Sequence, residues 1–234
     1  MSINPNDTNL RPAPLDERSK REQAYHQLRR LLVFQQIPEG SRLRESEWTA
    51  RFKVNRSALR EALARLEGEG LVEMGPKTGY FVPRLTPEDV QNILAVRFML
   101  EGGAIDVVCQ RGLNTPRHLK DMQQACDHLE MLVREEYVLG VVEADWRFHE
   151  SLILATQNPR LAIAYRHAPL LMIHPDVLAG PQWEATTRRT LEEHRAILAC
   201  ILEGDAAKAK GLLHRHVVEH SLALRCKPAQ AQAV

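Results

Sequence analysis

Apolar residues recur at helical spacing along most of the chain, and short β-prone runs occur in one stretch near residue 75. Close to the start, Tyr25, Leu28, Leu31 and Leu32 follow the three-to-four-residue period of an amphipathic helix, which predicts a helix over 20–36. Periodicity and turn signals then predict two more helices, at 45–52 and 56–68, and a hairpin with strands at 71–74 and 80–83.

From residue 86 onward the pattern is helical throughout. Glycine and proline divide it into segments, as at Gly112, Gly140, Pro159 and Gly204. The segments are 88–111, 115–137, 142–157, 160–172, 183–203 and 205–226. Three helices and a hairpin followed by helices alone predict a mainly α fold, in which an N-terminal winged helix-turn-helix precedes an all-α antiparallel helical bundle.

The distribution of charge follows the same division. Residues 1–84 hold 15 Lys and Arg against 11 Asp and Glu, whereas the remaining residues hold 16 against 19. A basic module joined to a mildly acidic one is typical of a nucleic-acid-binding domain fused to a second function, although a solvated basic face is the commoner cause of such an excess. The predicted parts are a flexible N-terminal arm at 1–18, a DNA-binding domain at 19–84, an all-helical effector-binding and dimerisation domain at 85–226, and a tail at 227–234.

Composition argues against a membrane or secreted protein. No run approaches the ~20 apolar residues that span a bilayer, and the polar first residues lack the apolar core of a signal peptide. The four cysteines lie far apart without a paired spacing, which predicts reduced thiols. We therefore predict a cytoplasmic protein with no membrane partner.

The segment 54–63 has the features of a recognition helix. Asn55 is a good N-cap, and Arg56 and Arg60 lie four residues apart on one helical face. The guanidinium group of arginine pairs bidentately with guanine in the major groove, which favours these two residues as base readers of a double-stranded DNA operator. The predicted DNA-binding set is Arg44, Asn55, Arg56, Ser57 and Arg60, with Lys77, Thr78 and Gly79 at the tip of the wing.

This part of the chain resembles the DNA-binding domain of the GntR family of bacterial transcriptional regulators. The proline–glycine turn of the family is present at Pro38 and Gly40, and the start of its recognition helix at 54–57. Its Arg-Glu-Ala-Leu continuation stands at 60–63 and its Leu-x-x-Glu-Gly-Leu exit at 66–71. The resemblance implies a winged helix-turn-helix that binds operator DNA.

Four potential metal ligands lie on apolar stripes of three predicted helices. Asp145 and His149 are four residues apart, and His194 and His216 each fall among apolar residues at helical spacing. Three imidazoles with one carboxylate suit a divalent ion such as zinc, nickel or manganese, with coordination positions left open. A histidine on an apolar face is more often a hydrogen-bonded core residue, so a sensor without a metal stays open as the alternative.

The sequence around these residues resembles the FCD effector domain, the all-helical C-terminal domain of one GntR subgroup. Its three signature helices match the stretches 144–161, 192–198 and 203–217. The resemblance implies a divalent metal, zinc foremost, held by Asp145, His149, His194 and His216. His220 shares the inward face of the last helix and stays open as a further ligand.

The same resemblance implies an effector pocket for a small carboxylate beside the metal. Residues 96–106 match the Arg-x-x-x-Glu signature of the first helix of that domain, which makes Arg97 the candidate for binding the effector. An ion pair between Arg97 and Glu101 within the helix explains the spacing equally well. Further arginines that the sequence does not rank are Arg147, Arg166, Arg188 and Arg195.

Together these features predict a ligand-responsive repressor that binds a palindromic operator as a homodimer. We expect the effector to release the protein from DNA, through the wing at 77–83 and the connection at 84–88. The alternative of a mononuclear metal hydrolase lacks the His-Glu-x-x-His motif of such enzymes. His149 begins that motif, but Ile153 occupies the position of the second histidine.

Overall fold

The computed structural model of the protein describes residues 17–75, 79–168 and 183–220. None of the helices in these ranges combines the length and the low polarity that a bilayer span needs. The helices are α1 (Glu17–Val33), α2 (Glu45–Phe52), α3 (Arg56–Gly68), α4 (Pro87–Gln110), α5 (Lys120–Arg134), α6 (Val138–Ala155), α7 (Pro159–Arg166), α8 (Trp183–Glu203) and α9 (Ala206–His214). The strands are β1 (Arg42–Leu43), β2 (Glu73–Met74) and β3 (Tyr80–Phe81), and a π-helix (Arg215–His220) follows α9.

The first three helices pack around one apolar cluster, and α2 and α3 have the bounds that the sequence predicts. Lys53, with a φ of 55°, ends α2 in the left-handed conformation. Asn55 then caps α3, because its side chain accepts a hydrogen bond from the amide of Ala58 at 2.7 Å. A cap of this kind stabilises a helix by about 1 kcal/mol. Leu28 of α1 and Leu59 of α3 are fully buried in the cluster.

A sheet of three two-residue strands completes the N-terminal part, in the order β1-β3-β2 with antiparallel pairs. β2 and β3 form the predicted hairpin with shorter strands than the sequence suggests, and β1 was not predicted. Two residues show no period, so tertiary pairing alone defines β1. The amide of Gly40 donates to the carbonyl of Val82 at 2.8 Å, and the amide of Val82 donates to the carbonyl of Ser41 at 3.0 Å.

The later helices pack around a second apolar cluster. A capping box starts α4, since the Thr86 hydroxyl accepts from the Asp89 amide and the Asp89 carboxylate accepts from the Thr86 amide. Leu129, Phe148 and Ile197, from α5, α6 and α8, are fully buried at the centre. The burial of such side chains contributes about 1.5–3 kcal/mol each. The mainly α fold, with a winged helix-turn-helix before an all-α bundle, is confirmed.

Several helices differ from their predicted extent. α1 lies three residues earlier than predicted, and α7 ends at Arg166. α6 begins at Val138 rather than at residue 142, so Gly140, a predicted breaker, lies inside it. α5 begins at Lys120 because residues 115–119 form a hydrogen-bonded turn before it. The helix predicted over 205–226 is divided, since α9 ends at His214 and the π-helix continues to His220. π-helical turns are rare and occur mostly at functional sites.

The predicted arm at 1–18 lies outside the described residues up to residue 16, whereas residues 17 and 18 belong to α1. The predicted tail and the predicted helix ends at 169–172 and 221–226 also lie outside the described residues.

Candidate metal centre and DNA-binding surface

The predicted base readers lie on an exposed surface at the start of α3. Asn55, Arg56, Ser57 and Arg60 are all exposed, because the apolar residues of α3 face the opposite side and enter the core. Arg44, the residue before α2, is exposed as well. The structure therefore leaves these side chains accessible to a partner.

Arg60 is held by a carboxylate of the neighbouring helix. Its Nε donates to both carboxylate oxygens of Glu45, at 2.8 and 3.0 Å. The hydrogen bond with Glu45 raises the pKa of Arg60. The side chains are 65% and 31% exposed, so water screens this pair and another anion can compete for the guanidinium. Arg44 directly precedes Glu45, which places Arg44 close to the same surface.

The structure describes both strands of the wing and Gly79, but not residues 76–78 at its tip. Gly79 has a φ of 134°, a conformation that favours glycine. A Cβ at this position would lie 3.2 Å from Nε of Arg42. The other two residues predicted for the tip, Lys77 and Thr78, lie outside the described residues.

The structure brings together all four predicted metal ligands, from α6, α8 and the π-helix. Nε2 of His216 lies 3.1 Å from Nε2 of His149 and 3.1 Å from Nε2 of His194. Oδ1 of Asp145 lies 3.3 Å from Nε2 of His194, 3.8 Å from that of His216 and 3.9 Å from that of His149. Three ring nitrogens and one carboxylate oxygen therefore face one point inside the bundle.

These separations fit a divalent ion. Imidazole nitrogens and carboxylate oxygens bind zinc at about 2.0–2.2 Å, so two ligands of one ion lie about 3–4 Å apart. The imidazoles of His149 and His194 are buried, whereas the side chain of Asp145 is 27% exposed. The centre is consequently closed on the side of these two histidines, and Asp145 is its most exposed ligand.

Two glutamates fix the outer nitrogens of two of these imidazoles. Nδ1 of His149 lies 2.6 Å from Oε2 of Glu101, and Nδ1 of His216 lies 2.8 Å from Oε2 of Glu193. A carboxylate can only accept, so each Nδ1 donates a proton and each Nε2 keeps its lone pair toward the centre. Nδ1 of His194 is buried without a hydrogen-bond partner among the described residues.

The electrostatics of the centre favour the protonation states that a metal requires. Burial lowers the pKa of His194 against the opposing effect of Asp145, and it lowers the pKa of His216 against the opposing effect of Glu193; both shifts favour neutral imidazoles. Burial raises the pKa of Asp145, but its hydrogen bond with His194 and the nearby imidazoles outweigh burial and leave that pKa well below its usual range. Neutral imidazole and ionised carboxylate are the forms that bind metal ions.

Arg97 forms the ion pair with Glu101 that their four-residue spacing suggested, and Glu101 joins it to His149 of the centre. Its Nε donates to Oε1 of Glu101 at 3.1 Å, and its side chain is 11% exposed. The hydroxyl of Tyr165 donates to the same oxygen at 2.9 Å. Burial lowers the pKa of Arg97, and the electrostatic effects of Tyr165, Glu101 and Asp145 reverse that change, which shows how close these groups are.

Glu101, Glu193 and Tyr165 are the site residues that the sequence interpretation did not assign. Glu101 was visible in the sequence as a partner for Arg97, but its contact with His149 joins residues 48 positions apart. Glu193 also binds Nδ1 of His220, at 2.9 Å from Oε1, so His220 contacts a carboxylate rather than the ligand group. No local pattern could have revealed either contact.

Two contacts join the bundle to the N-terminal domain directly. The guanidinium of Arg29 in α1 lies 4.2 Å from the ring centre of Trp146, which follows Asp145 in α6. Nδ1 of His167, just after α7, lies 3.1 Å from the carbonyl oxygen of Gly68 at the end of α3. Besides the wing and the connection at 84–88, these contacts provide a second route between the candidate metal centre and the recognition helix.

A winged helix-turn-helix with exposed arginines, joined to a helical bundle with an internal ligand group, defines a DNA-binding regulator. The model of bacterial regulatory proteins of the gntR family matches residues 20–82, and the FCD domain model matches residues 92–219. The chain belongs to the GntR family of transcriptional regulators and carries an FCD domain. It is a regulator and not an enzyme.

Relatives and solved structures agree with this assignment. The HTH-type transcriptional regulator LutR of Bacillus subtilis (strain 168) is 28% identical over 185 residues, which cover 71% of this chain and 83% of LutR. The HTH-type transcriptional repressor RspR of Escherichia coli (strain K12) is 24% identical over 87% of this chain and 88% of its own. The structure of E. coli McbR/YncC shows the same fold at a TM-score of 0.70, with 18% identity over 88% of this chain and 97% of that one.

Removal of the Trp146 ring should loosen the junction between the two parts. We expect Trp146→Ala to speed amide hydrogen exchange at least about twofold at the end of α1 and at the end of α3, because a cation–π contact contributes about 0.5–1 kcal/mol. The exchange is measured by mass spectrometry of peptic fragments. Arg51→Ala is the control, since Arg51 lies over Trp48 within the N-terminal part at 4.9 Å. Unchanged exchange in Trp146→Ala would contradict a contribution of this contact.

Proposed function

We propose that this regulator is a homodimeric repressor whose DNA binding responds to a small carboxylate bound beside a divalent metal in its C-terminal domain. The convergence of Asp145, His149, His194 and His216 in the domain attached to the winged helix carries the proposal. The proposed domains are residues 19–84 for DNA binding and 85–226 for effector binding and dimerisation. The cytoplasm, where operator DNA is accessible, is the proposed location.

In this proposal the start of α3 reads bases in the major groove. Arg56 and Arg60 supply guanidinium groups for guanine, while Asn55 and Ser57 bind phosphate. Arg44 and the wing residues Lys77, Thr78 and Gly79 add contacts to the backbone or the minor groove. A twofold dimer presents two such helices, so a palindromic operator matches its symmetry.

The metal would be held by the three Nε2 atoms and by the Asp145 carboxylate. Zinc is the first candidate, and nickel or manganese also suit this donor set. Such an ion supplies positive charge and free coordination positions that attract a carboxylate. A sensor in which the same histidines only pack and hydrogen-bond is the alternative.

Arg97 is the proposed second anchor of the effector. Its guanidinium lies beside the centre and is already paired with Glu101, so an effector carboxylate has to share or displace that partner. Binding can shift the regulator only if it favours one placement of the DNA-binding domains over another. Trp146, next to Asp145, is positioned to transmit that preference through Arg29, and we propose that the effector lowers the affinity for DNA.

The DNA-binding proposal predicts the effect of single arginine substitutions. We expect Arg56→Ala and Arg60→Ala each to weaken operator binding by about 1–3 kcal/mol, because a bidentate arginine–guanine pair contributes that much to discrimination. The measurement is fluorescence anisotropy on an operator selected from random duplex DNA. Arg111→Ala, an exposed arginine of the other domain, is the control. Wild-type affinity in both variants, with unchanged circular dichroism, would contradict the proposed reading surface.

The metal proposal predicts a loss of bound ion when its ligands are removed. Wild-type protein equilibrated with zinc and desalted should retain about one ion per chain, whereas His149→Ala and His194→Ala should retain little, because each removes a ligand from a four-ligand site. Metal content is measured by plasma mass spectrometry. His214→Ala is the matched control, since His214 lies on the neighbouring turn and pairs with Glu219. Equal zinc retention in all four proteins would favour the sensor without a metal.

The effector proposal predicts a role for Arg97 in carboxylate binding. Lactate-like, sugar-acid and aromatic carboxylates are screened by thermal shift, and a compound that stabilises the wild type should bind Arg97→Lys about 10- to 100-fold more weakly, because charged hydrogen bonds from the guanidinium fork are lost. Calorimetry measures the affinity, and Arg111→Lys, at an exposed arginine outside the candidate set, is the control. In gel shift the same compound should release operator DNA. Tighter operator binding with the compound would contradict the proposed direction.

A further inference from the structure

Glu101 is a carboxylate in the interior of the bundle with both oxygens engaged. Its side chain has no exposed surface. Oε2 lies 2.6 Å from Nδ1 of His149 in α6, while Oε1 accepts from Nε of Arg97 and from the hydroxyl of Tyr165 in α7. One residue of α4 thus binds a candidate metal ligand, the candidate effector arginine and a third helix.

Burial of such a group is costly, which calls for an explanation beyond packing. An ionised carboxylate in an apolar interior is destabilising unless it is paired, and an apolar residue of similar volume often fills such a position at lower cost. Nε of Arg97 and the hydroxyl of Tyr165 both donate to Oε1, so Glu101 acts as an acceptor in this interior.

We propose that Glu101 is a positioning residue for the metal centre, which fixes the ring of His149 with its Nδ1 protonated and its Nε2 free to bind the ion. An acceptor at 2.6 Å selects the tautomer with the proton on Nδ1. The imidazole is also packed edge-on against Phe148 with ring centres 5.5 Å apart, so its orientation is set on two sides. This role rests on the proposed metal site and adds a residue to it.

The other two imidazoles are held less firmly, which makes the role of Glu101 distinct. Glu193 binds Nδ1 of His216, but its side chain is 19% exposed and it also contacts His220. Nδ1 of His194 has no partner among the described residues, and that ring is instead stacked on Phe148 at 3.9 Å. Among the three imidazole rings, that of His149 has a hydrogen-bond partner, Glu101, whose side chain is fully buried.

Zinc competition with a chromophoric chelator tests this role on the full-length protein. We expect Glu101→Ala to bind zinc about 10- to 100-fold more weakly than wild type, the range typical for the loss of a hydrogen-bond partner behind a metal-binding histidine. Glu101→Gln should lose less, because its amide oxygen can still accept from Nδ1 of His149. Glu130→Ala is the matched control, since that carboxylate of α5 pairs with Arg134 and Arg195 and touches no ligand.

The absorption spectrum of the cobalt-loaded proteins provides a readout that a purely structural role would not change. We expect the bands of Glu101→Ala to differ from those of wild type and Glu130→Ala, because the ligand field reports the orientation of the ring. Zinc affinity and a cobalt spectrum equal to wild type in folded Glu101→Ala would overturn the role. If that variant does not fold, the same result in Glu101→Leu, which removes the acceptor at similar volume, overturns it. Failure of the wild type itself to bind zinc would overturn the proposed metal site and this role with it.

Discussion

The pairing of ionisable side chains inside the helical bundle is the constraint on which the rest of this structure depends. Asp145 and three histidines face one point, and a second layer of carboxylates stands behind two of the rings. Burial of a polar group is costly unless the group is hydrogen-bonded, so these pairs favour one mutual arrangement of α4, α6, α8 and the π-helix. A divalent ion at this point would add charge compensation to a cluster that is otherwise held by hydrogen bonds.

A series of contacts joins this cluster, the proposed effector site, to the helix that carries the DNA-binding surface. Asp145 and Trp146 are consecutive in α6, and the ring of Trp146 contacts the guanidinium of Arg29 in α1. Arg29 in turn pairs with Glu69, at 3.1 Å, directly after the recognition helix. His167 approaches the same helix end through the carbonyl of Gly68, so both contacts of the bundle meet α3 at its C-terminal end.

Much of the fold could be predicted because local sequence signals mark most of its helices. The cap Asn55 and most of the breakers between segments indicate helix limits within a few residues, and α2, α3 and α8 have their predicted bounds. β1 could not be predicted, since two residues carry no periodicity and only pairing with β3 makes them a strand. The change from α9 to a π-helix at Arg215 was equally invisible, because the apolar period of the sequence predicts one helix over 205–226.

The sequence by itself determined the residue types of the site and the helical faces that carry them, since Asp145 and His149 are one turn apart and His194 and His216 fall on apolar stripes. It also determined which arginines α3 exposes, because an amphipathic helix turns its polar face outward. Only the tertiary structure decided that Glu101 stands behind His149, that Glu193 stands behind His216, and that Arg60 pairs with Glu45. These contacts join different helices, and distances between helices are set by packing rather than by spacing along the chain.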